Sequence, residues 1–398
     1  MRKPLRIAAA LSACVVLGGP ATADEPSDAA RPVDDVGLAL REAWPDRPEW
    51  LDMYTAILND EPMGPTNGWF RTSVTRTRYG WDATRSKYDG DGDGRVSRSE
   101  YPGADDDFAR LDRDHDENLT EADFDFSKDY APSPGSILFQ RLDRDGDGKV
   151  TREEIDAFFQ EADSDGAGFL SRLDLERALP APAPSMSPGD RPTKAQLIRG
   201  LFQQEIGSLQ SGPDLNEPAP DFTLRTSDGE AEVTLSKLIG PKPLVLIFGN
   251  FTCGPFRSQA GNFEKLRRRY GDRATFVMVY VREAHPTDGW RMRSNDDVGV
   301  SAAQPQSYEE RVDVAQRCGD LLGLGFPMLV DTIDDAVGAR YSGMPGRFYL
   351  IDQKGEIAFK NARGPFGFKP AELEQSLILL LQEAADGAGP QAAARTAE

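Results

Sequence analysis

Five apolar residues run without a break from Leu244 to Phe248 (LVLIF), too few for a helix, and this predicts a strand buried on both faces. A second run, Ala274 to Val281 (ATFVMVYV), predicts a neighbouring strand. Pro327 to Asp331, Arg347 to Ile351 and Ile357 to Lys360 supply further strand elements. Between them apolar residues recur at helical spacing, in a segment starting at or beside Cys253, in Ser307 to Leu324 and in Pro370 to Gln382. Short β runs alternating with helices from Ala219 to about Leu381 predict an α/β domain. Leu197, Ile198, Leu201 and Ile206 predict an amphipathic helix ahead of it.

The pattern divides the chain. Residues 24–85 read as a helical lead-in with apolar positions at Trp44, Trp50, Leu51, Tyr54 and Ile57; it is expected to pack onto the unit that follows and is assigned no function. Residues 86–178 hold an internal repeat of acidic loops, and 179–195 form a linker rich in proline (PAPAPSMSPGDRP). The α/β domain spans 196–385, and the tail 386–398 has the composition of a disordered segment. At the start, Arg2, Lys3 and Arg6 precede an apolar run from Ile7 to Leu17 and a small-residue site before Asp24. That is the form of an export signal over 1–23, which implies a periplasmic or extracellular location. Leu11 to Cys14 also fits a lipoprotein site, with Cys14 as the anchor. No later segment reaches about 18 uninterrupted apolar residues, so no transmembrane segment is expected.

Charge sharpens the picture of the repeat. The chain carries −20 overall, and residues 86–175 alone hold 25 of its 66 acids against 11 of its 46 bases. Nucleic-acid binding needs the opposite sign. A local excess of acids suggests bound cations instead. The loop DGDGDGRVSRSE places Asp89, Asp91 and Asp93 at positions 1, 3 and 5 of a twelve-residue EF-hand template. Gly94 takes the sharp turn, Arg95 offers its carbonyl, Val96 pairs with a partner loop, and Glu100 closes the loop with two oxygens. DRDGDGKVTREE repeats this with Asp143, Asp145, Asp147, Gly148, Lys149 (through its carbonyl), Val150 and Glu154. Two further loops are degraded. One keeps Asp112, Asp114, Asp116 and Asn118, but Glu117 stands where glycine is wanted and the shorter Asp123 closes. The other keeps Asp163 and Asp165, with Ala167 in third place and Asp174 closing. Two calcium ions are expected, and up to four. The predicted architecture is multidomain: an all-α calcium-binding domain followed by an α/β domain.

Three cysteines are too few for a disulfide scaffold. Cys253 follows the first strand after a tight Asn-Phe-Thr turn and stands at a helix start, where the dipole favours a thiolate. Its pKa is therefore expected below the free-thiol value of about 8.5. CGPF resembles the thioredoxin Cys-Gly-Pro-Cys turn with Phe256 in place of the second cysteine, so one-thiol chemistry is expected. EPAPDFTL (217–224) resembles the opening of redoxin domains, and Met344-Pro345 stands where thioredoxin folds place a cis-proline. Cys318 lies on a helical apolar stripe with Val314, Leu321 and Leu322. It reads either as a small core residue or as a resolving thiol for Cys253.

GNFTCGPF, VYVREAHPTDGW, LVDTIDDAVGARYSGMPGRFYLID and GPFGFKPAEL together resemble the iodothyronine deiodinase family in order and spacing, over about 240–382. The resemblance implies a thioredoxin-like fold, with Cys253 in the place of the family's selenocysteine. It also implies a catalytic set with Tyr280, Glu283, His285 and Arg347 beside it. The implied chemistry is reductive removal of iodine from an aromatic ring: the chalcogen attacks the halogen, carbon takes a proton, and an external thiol reductant regenerates the enzyme. His285 is the expected proton donor. Departures are sulfur for selenium, Gly254 before Pro255, a missing second histidine, and a longer region from Arg291 to Gln306. Three functions fit: a deiodinase-type thiol oxidoreductase; a peroxidase or disulfide reductase acting on peroxides or thiols; and a calcium-dependent binding protein with an inactive redoxin domain. The peroxiredoxin threonine, three residues before the cysteine, is Asn250 here, which argues against a standard peroxidase.

Overall fold

The computed structural model describes residues 39–40, 42–44, 49–61, 74–126, 134–144, 149–179, 190–364 and 367–388. The expected leader with Cys14, Asp145, Asp147 and Gly148, the stretch 180–189 and the tail from 389 lie outside those residues. In chain order, helix α1 (Glu49–Leu58) and strand β1 (Arg76–Thr77) precede the acidic loops. Among the loops come α2 (Trp81–Tyr88), β2 (Val96–Ser97), α3 (Asp105–Leu111), β3 (Asn118–Leu119) and α4 (Glu121–Phe124). They are followed by α5 (Pro134–Leu142), α6 (Arg152–Ala162) and α7 (Arg172–Ala178). Next are α8 (Lys194–Phe202), β4 (Thr223–Thr226), β5 (Glu232–Thr234), α9 (Leu235–Leu238), β6 (Leu244–Gly249), α10 (Gly254–Tyr270) and β7 (Thr275–Tyr280). The last are α11 (Arg293–Asp297), α12 (Tyr308–Leu322), β8 (Met328–Val330), α13 (Ala336–Arg340), β9 (Arg347–Ile351), β10 (Ile357–Lys360) and α14 (Pro370–Ala388).

Eight strands form one mixed sheet in the order β1-β10-β9-β6-β7-β8-β4-β5. β6 and β7 are parallel across α10, whereas β9 and β10 are antiparallel and lead into α14. With a cis Met344-Pro345 bond ahead of β9, this is the expected thioredoxin-like α/β fold. Every residue of β6 is buried, because packing covers both faces of the sheet. Alternation then sorts the strands. Val245, Ile247, Met278, Tyr280, Phe348 and Leu350 pack with α10, α12 and α14. Leu246, Phe248, Val279, Tyr349 and Ile351 pack with Val337 and Tyr341 on the other face.

The structure adds two unpredicted joins. β1, which no apolar run announces, pairs antiparallel with β10 and extends the sheet. The lead-in helix α1 packs on α8, with Trp50, Tyr54, Phe202, Ile206 and Trp290 in one cluster, rather than onto the acidic repeat. The first two acidic loops pair through β2 and β3 (Val96 with Leu119) and lie against α14. Tyr88, Tyr101, Phe108, Leu111 and Leu119 join the core cluster of the sheet. Burial of each of Phe108, Leu111 and Leu119 contributes roughly 1.5–3 kcal/mol. The buried Gln375 amide donates to the Asp123 carbonyl at 3.0 Å. Among the described residues no helix is long and apolar enough to cross a membrane.

Candidate active site and metal loops

β6 ends at Gly249, and a Cβ there would stand 2.4 Å from the Phe256 ring, so only glycine lets α10 close over the strand. The turn that follows is held by Asn250. Its Oδ1 accepts from Cys253 N–H at 2.9 Å and from Ala284 N–H at 3.2 Å, while its Nδ2 donates to the Pro345 carbonyl at 2.9 Å. One amide therefore joins the thiol turn, the loop after β7 and the cis-proline. Cys253 is the N-cap of α10. One turn on, Arg257 donates to the Phe251 carbonyl and, at 2.6 Å, to Asn295, which donates to the Thr252 carbonyl at 2.8 Å.

Cys253 is 3% exposed. Burial pushes its thiol up to about 11, against the opposing pulls of the Phe256 N–H and the Arg257 charge. This reverses the expectation of a lowered value: the helix N-terminus is present, but desolvation outweighs it. Cys253 rests as a thiol.

Glu283 supports the turn from below. Its Oε2 accepts from Thr252 N–H at 2.8 Å and Thr252 Oγ1–H at 2.7 Å, and its Oε1 from the Tyr280 hydroxyl. Tyr280 in turn accepts from Phe251 N–H at 3.1 Å. Burial holds the Glu283 carboxyl above its ordinary value in spite of these donors. His285 N–H donates to Thr252 Oγ1 at 3.0 Å. Its Nδ1 lies 3.1 Å from the Trp290 carbonyl, and the ring stands edge-on to Trp290 at 4.5 Å. Burial lowers the imidazole to about 4. With Nδ1–H facing a carbonyl, neutral His285 presents Nε2 as an acceptor, so it can give a proton only after taking one up.

Cys318 is fully buried on α12, in the same cluster as Cys253. Burial raises its thiol, with Glu283 and Cys253 adding to the shift. Leu321, predicted on the same stripe, is 57% exposed. The structure brings Cys253, Tyr280, Glu283, His285 and Cys318 together but leaves Arg347 apart. Arg347 shares its strand face with Tyr349 and Ile351, opposite the cluster holding Cys253. There Glu49 of α1 binds both Arg347, at 3.3 Å, and the buried Arg363, at 2.6 Å. The lead-in thus has a structural partner in the α/β unit. Asn250, Arg257, Asn295 and Gln304 were missed; the signal available was a short amide or guanidinium within one turn of the thiol for the first two.

The acidic loops repeat one local design. Glu100 accepts from Gly90, Asp91 and Ser97 N–H, and Asp123 accepts from Arg113, Asp114 and Thr120 N–H. Glu154 accepts from Arg144 and Thr151, and Asp174 from Ser171. Gly94 (φ +87°), Glu117 (φ +68°) and Gly168 (φ +81°) take the left-handed turn at position 6, so glutamate at 117 does not abolish it. One carboxylate oxygen from each of Asp89, Asp91 and Asp93 lies within 4.8 Å of the others, and the same holds for Asp112, Asp114 and Asp116. Asp143 is buried, and among the described residues its Oδ1 has no hydrogen-bond partner. Asn118 Nδ2 donates to the Asp116 carbonyl, and Lys149 pairs with Asp106 at 3.6 Å.

The family model for iodothyronine deiodinase matches residues 185–379, and one for the EF hand matches 136–158. A type I iodothyronine deiodinase of Xenopus laevis is 32% identical over 45% of this chain and 68% of its own length. A thyroxine 5-deiodinase of Gallus gallus is 30% identical over 48% of this chain and 73% of its own. Among solved structures, a secreted disulfide oxidoreductase of Mycobacterium tuberculosis is 19% identical over 40% of this chain and 94% of that one, with a TM-score of 0.29.

Proposed function

The chain belongs to the iodothyronine deiodinase family of enzymes, and from that premise we propose that it is a calcium-binding thiol oxidoreductase removing iodine reductively from an aromatic substrate. The observation that carries the reading is the single thiol of Cys253, fixed through Asn250 to both the cis-proline and the loop of Glu283 and His285. Sulfur attacks iodine, the carbon–iodine bond breaks, and its electron pair stays on the ring carbon. The thiol proton balances that carbanion: Cys–SH plus Ar–I gives Cys–S–I plus Ar–H. His285 Nε2 takes the proton from sulfur and delivers it to carbon. Arg257 stabilises the transient thiolate. Attack on the sulfenyl iodide by Cys318, or by an external thiol, forms a disulfide and releases iodide and a proton. A further thiol pair reduces that disulfide. Tyr280 and Glu283 hold the turn, and Arg347 holds the sheet to α1.

Calcium fits the donors of the acidic loops. Asp89, Asp91, Asp93, the Arg95 carbonyl and Glu100 supply hard oxygens, as do Asp143 and Glu154 together with Asp145, Asp147 and the Lys149 carbonyl. The closing carboxylates at 123 and 174 are one methylene shorter, so these loops hold the ion more weakly. When bound, calcium neutralises the gathered charge. Export of the chain is supported by the residue pattern of 1–23.

Iodide release from an iodothyronine, measured with calcium and a dithiol beside a Cys253→Ser control, tests the reading. Release that vanishes in the control is expected. No release from a chain whose thiol still alkylates would instead favour the redoxin alternative, with a peroxide or disulfide as substrate.

A further inference from the structure

The region Arg291 to Gln306, longer than its family counterpart, holds the thiol site at two points. Near its end, Gln304 Oε1 accepts from Glu283 N–H at 2.9 Å and Nε2 donates to the Glu283 carbonyl at 3.1 Å. Near its start, α11 is anchored by the buried Asp190 carboxylate, which accepts from Arg293 N–H at 2.5 Å. That helix carries Asn295, 4% exposed, to the turn of Cys253.

Both ends of the Asn295 amide are used. Oδ1 accepts from Arg257 Nη2 at 2.6 Å, and Nδ2 donates to the Thr252 carbonyl at 2.8 Å. Turning the amide over would set its NH2 against the guanidinium and its oxygen against a carbonyl, so the partners fix its orientation. Arg257 also donates to the Phe251 carbonyl. Both of these acceptors are neutral, and among the described residues no carboxylate pairs with Arg257. The half-buried guanidinium is therefore held in place with its charge uncancelled. A Cβ built on Gly254 would stand 4.0 Å from Arg257 Nη2, which sets the cation beside the residue that follows the thiol. The other titratable groups facing the thiol supply no cation. Tyr280 of β7, His285 of the loop after it and Cys318 of α12 rest neutral. Glu283 opposes a negative charge on sulfur, and Arg257 favours one.

We propose that Asn295 is a positioning residue for the thiol chemistry: it holds the Arg257 cation against the turn, in place for the charge that sulfur acquires on losing its proton. A neutral amide suits this task because it fixes the guanidinium without cancelling its charge, as a carboxylate would. The extra length of the region is what delivers the amide. The assignment rests on Cys253 as the reacting thiol of the reading above; alkylation needs no iodinated substrate, so the two fail separately.

The test is alkylation of Cys253 in the full chain with calcium at mildly alkaline pH, read from the mass of its peptide. Two reagents are compared, neutral iodoacetamide and anionic iodoacetate. Asn295→Ala is expected to slow iodoacetamide by about 10-fold, the low end for removing an opposite charge from a thiol. Iodoacetate should slow by a further factor of about 5, since the anion also loses its cation. A turn that merely loosens moves both reagents together, and an unchanged ratio overturns the assignment. In an Arg257→Gln background Asn295→Ala should alter the rates by less than about 2-fold; a full effect there overturns it too. Should Asn295→Ala not fold, Asn295→Ser takes its place, because one hydroxyl cannot span both partners. The native chain also decides without substitution. Its iodoacetate-to-iodoacetamide ratio should fall by about 5-fold on unfolding in urea, and a ratio that holds or rises overturns the assignment.

Discussion

Glu100 and Glu283 perform the same local task in opposite surroundings. Each accepts a backbone N–H and the hydroxyl of one Ser or Thr residue, and each thereby fixes a turn. In the exposed loop, hydrogen bonds from Ser97 lead and the Glu100 carboxyl is held below its ordinary value. Under the thiol turn, burial leads and Glu283 is held above it. Donor count alone does not set the charge state of a carboxylate; the loss of water can outweigh it.

The largest expected break comes from Glu283→Ala, which strands the Thr252 and Tyr280 donors in the interior. A loss of about 4 kcal/mol is expected from the urea midpoint. Iodide release should fall by about 100-fold as the turn drifts. Glu100→Ala should move the midpoint far less, since water can reach the donors it leaves.

Acid separates the two regions next. His285 sits near 4 in the folded chain and near 6.5 when unfolded, so the unfolded state binds the proton more readily. Its contribution is intact above 6.5 and is lost as pH falls toward 4, by at most about 3 kcal/mol. Glu283 acts in the opposite sense, so the difference between the native chain and His285→Asn isolates the histidine. Melting curves from pH 7 to 4 should therefore be steeper for the native chain. The carboxylates of Glu100 and Asp174, both lowered by hydrogen bonds, should hold their turns to lower pH.

Calcium should sharpen the contrast from the other side. At 100 times its Kd, one ion bound only to the folded chain adds about 2.7 kcal/mol. Calorimetry with and without chelator should show that gain in the transition of the α/β unit, because Leu111 and Leu119 of the first loop pair share its core. The second pair is built differently. Phe169, Leu173 and Ile155 are exposed, and Phe169→Ser should change the midpoint by no more than about 0.5 kcal/mol.

Most strands of the sheet were legible because short segments this rich in apolar residues leave little alternative for LVLIF, ATFVMVYV or RFYLI. The cis-proline was legible from its place before β9. β1 was not: Arg76 and Thr77 carry no apolar signal, and their pairing depends on β10 arriving from far along the chain. The site divides in the same way. Cys253, Glu283 and His285 follow from motif and order, whereas Asn295 touches the thiol turn from a region whose extra length gave no hint of its contacts. The thiol's protonation was misread because a sequence displays a helix start but not the apolar residues that close over it.

The β1–β10 pairing also has a consequence for how the chain comes into being. Roughly 280 residues separate the two strands, and α1 with Glu49 precedes Arg347 by a similar length. At about 5–20 residues per second, synthesis leaves these early pieces without partners for roughly tens of seconds. The first loop pair lies between them and draws its own hydrogen bonds from nearby residues, so it is equipped to take shape while it waits. α14 follows β10 in the chain, so its partners in the shared core all precede it.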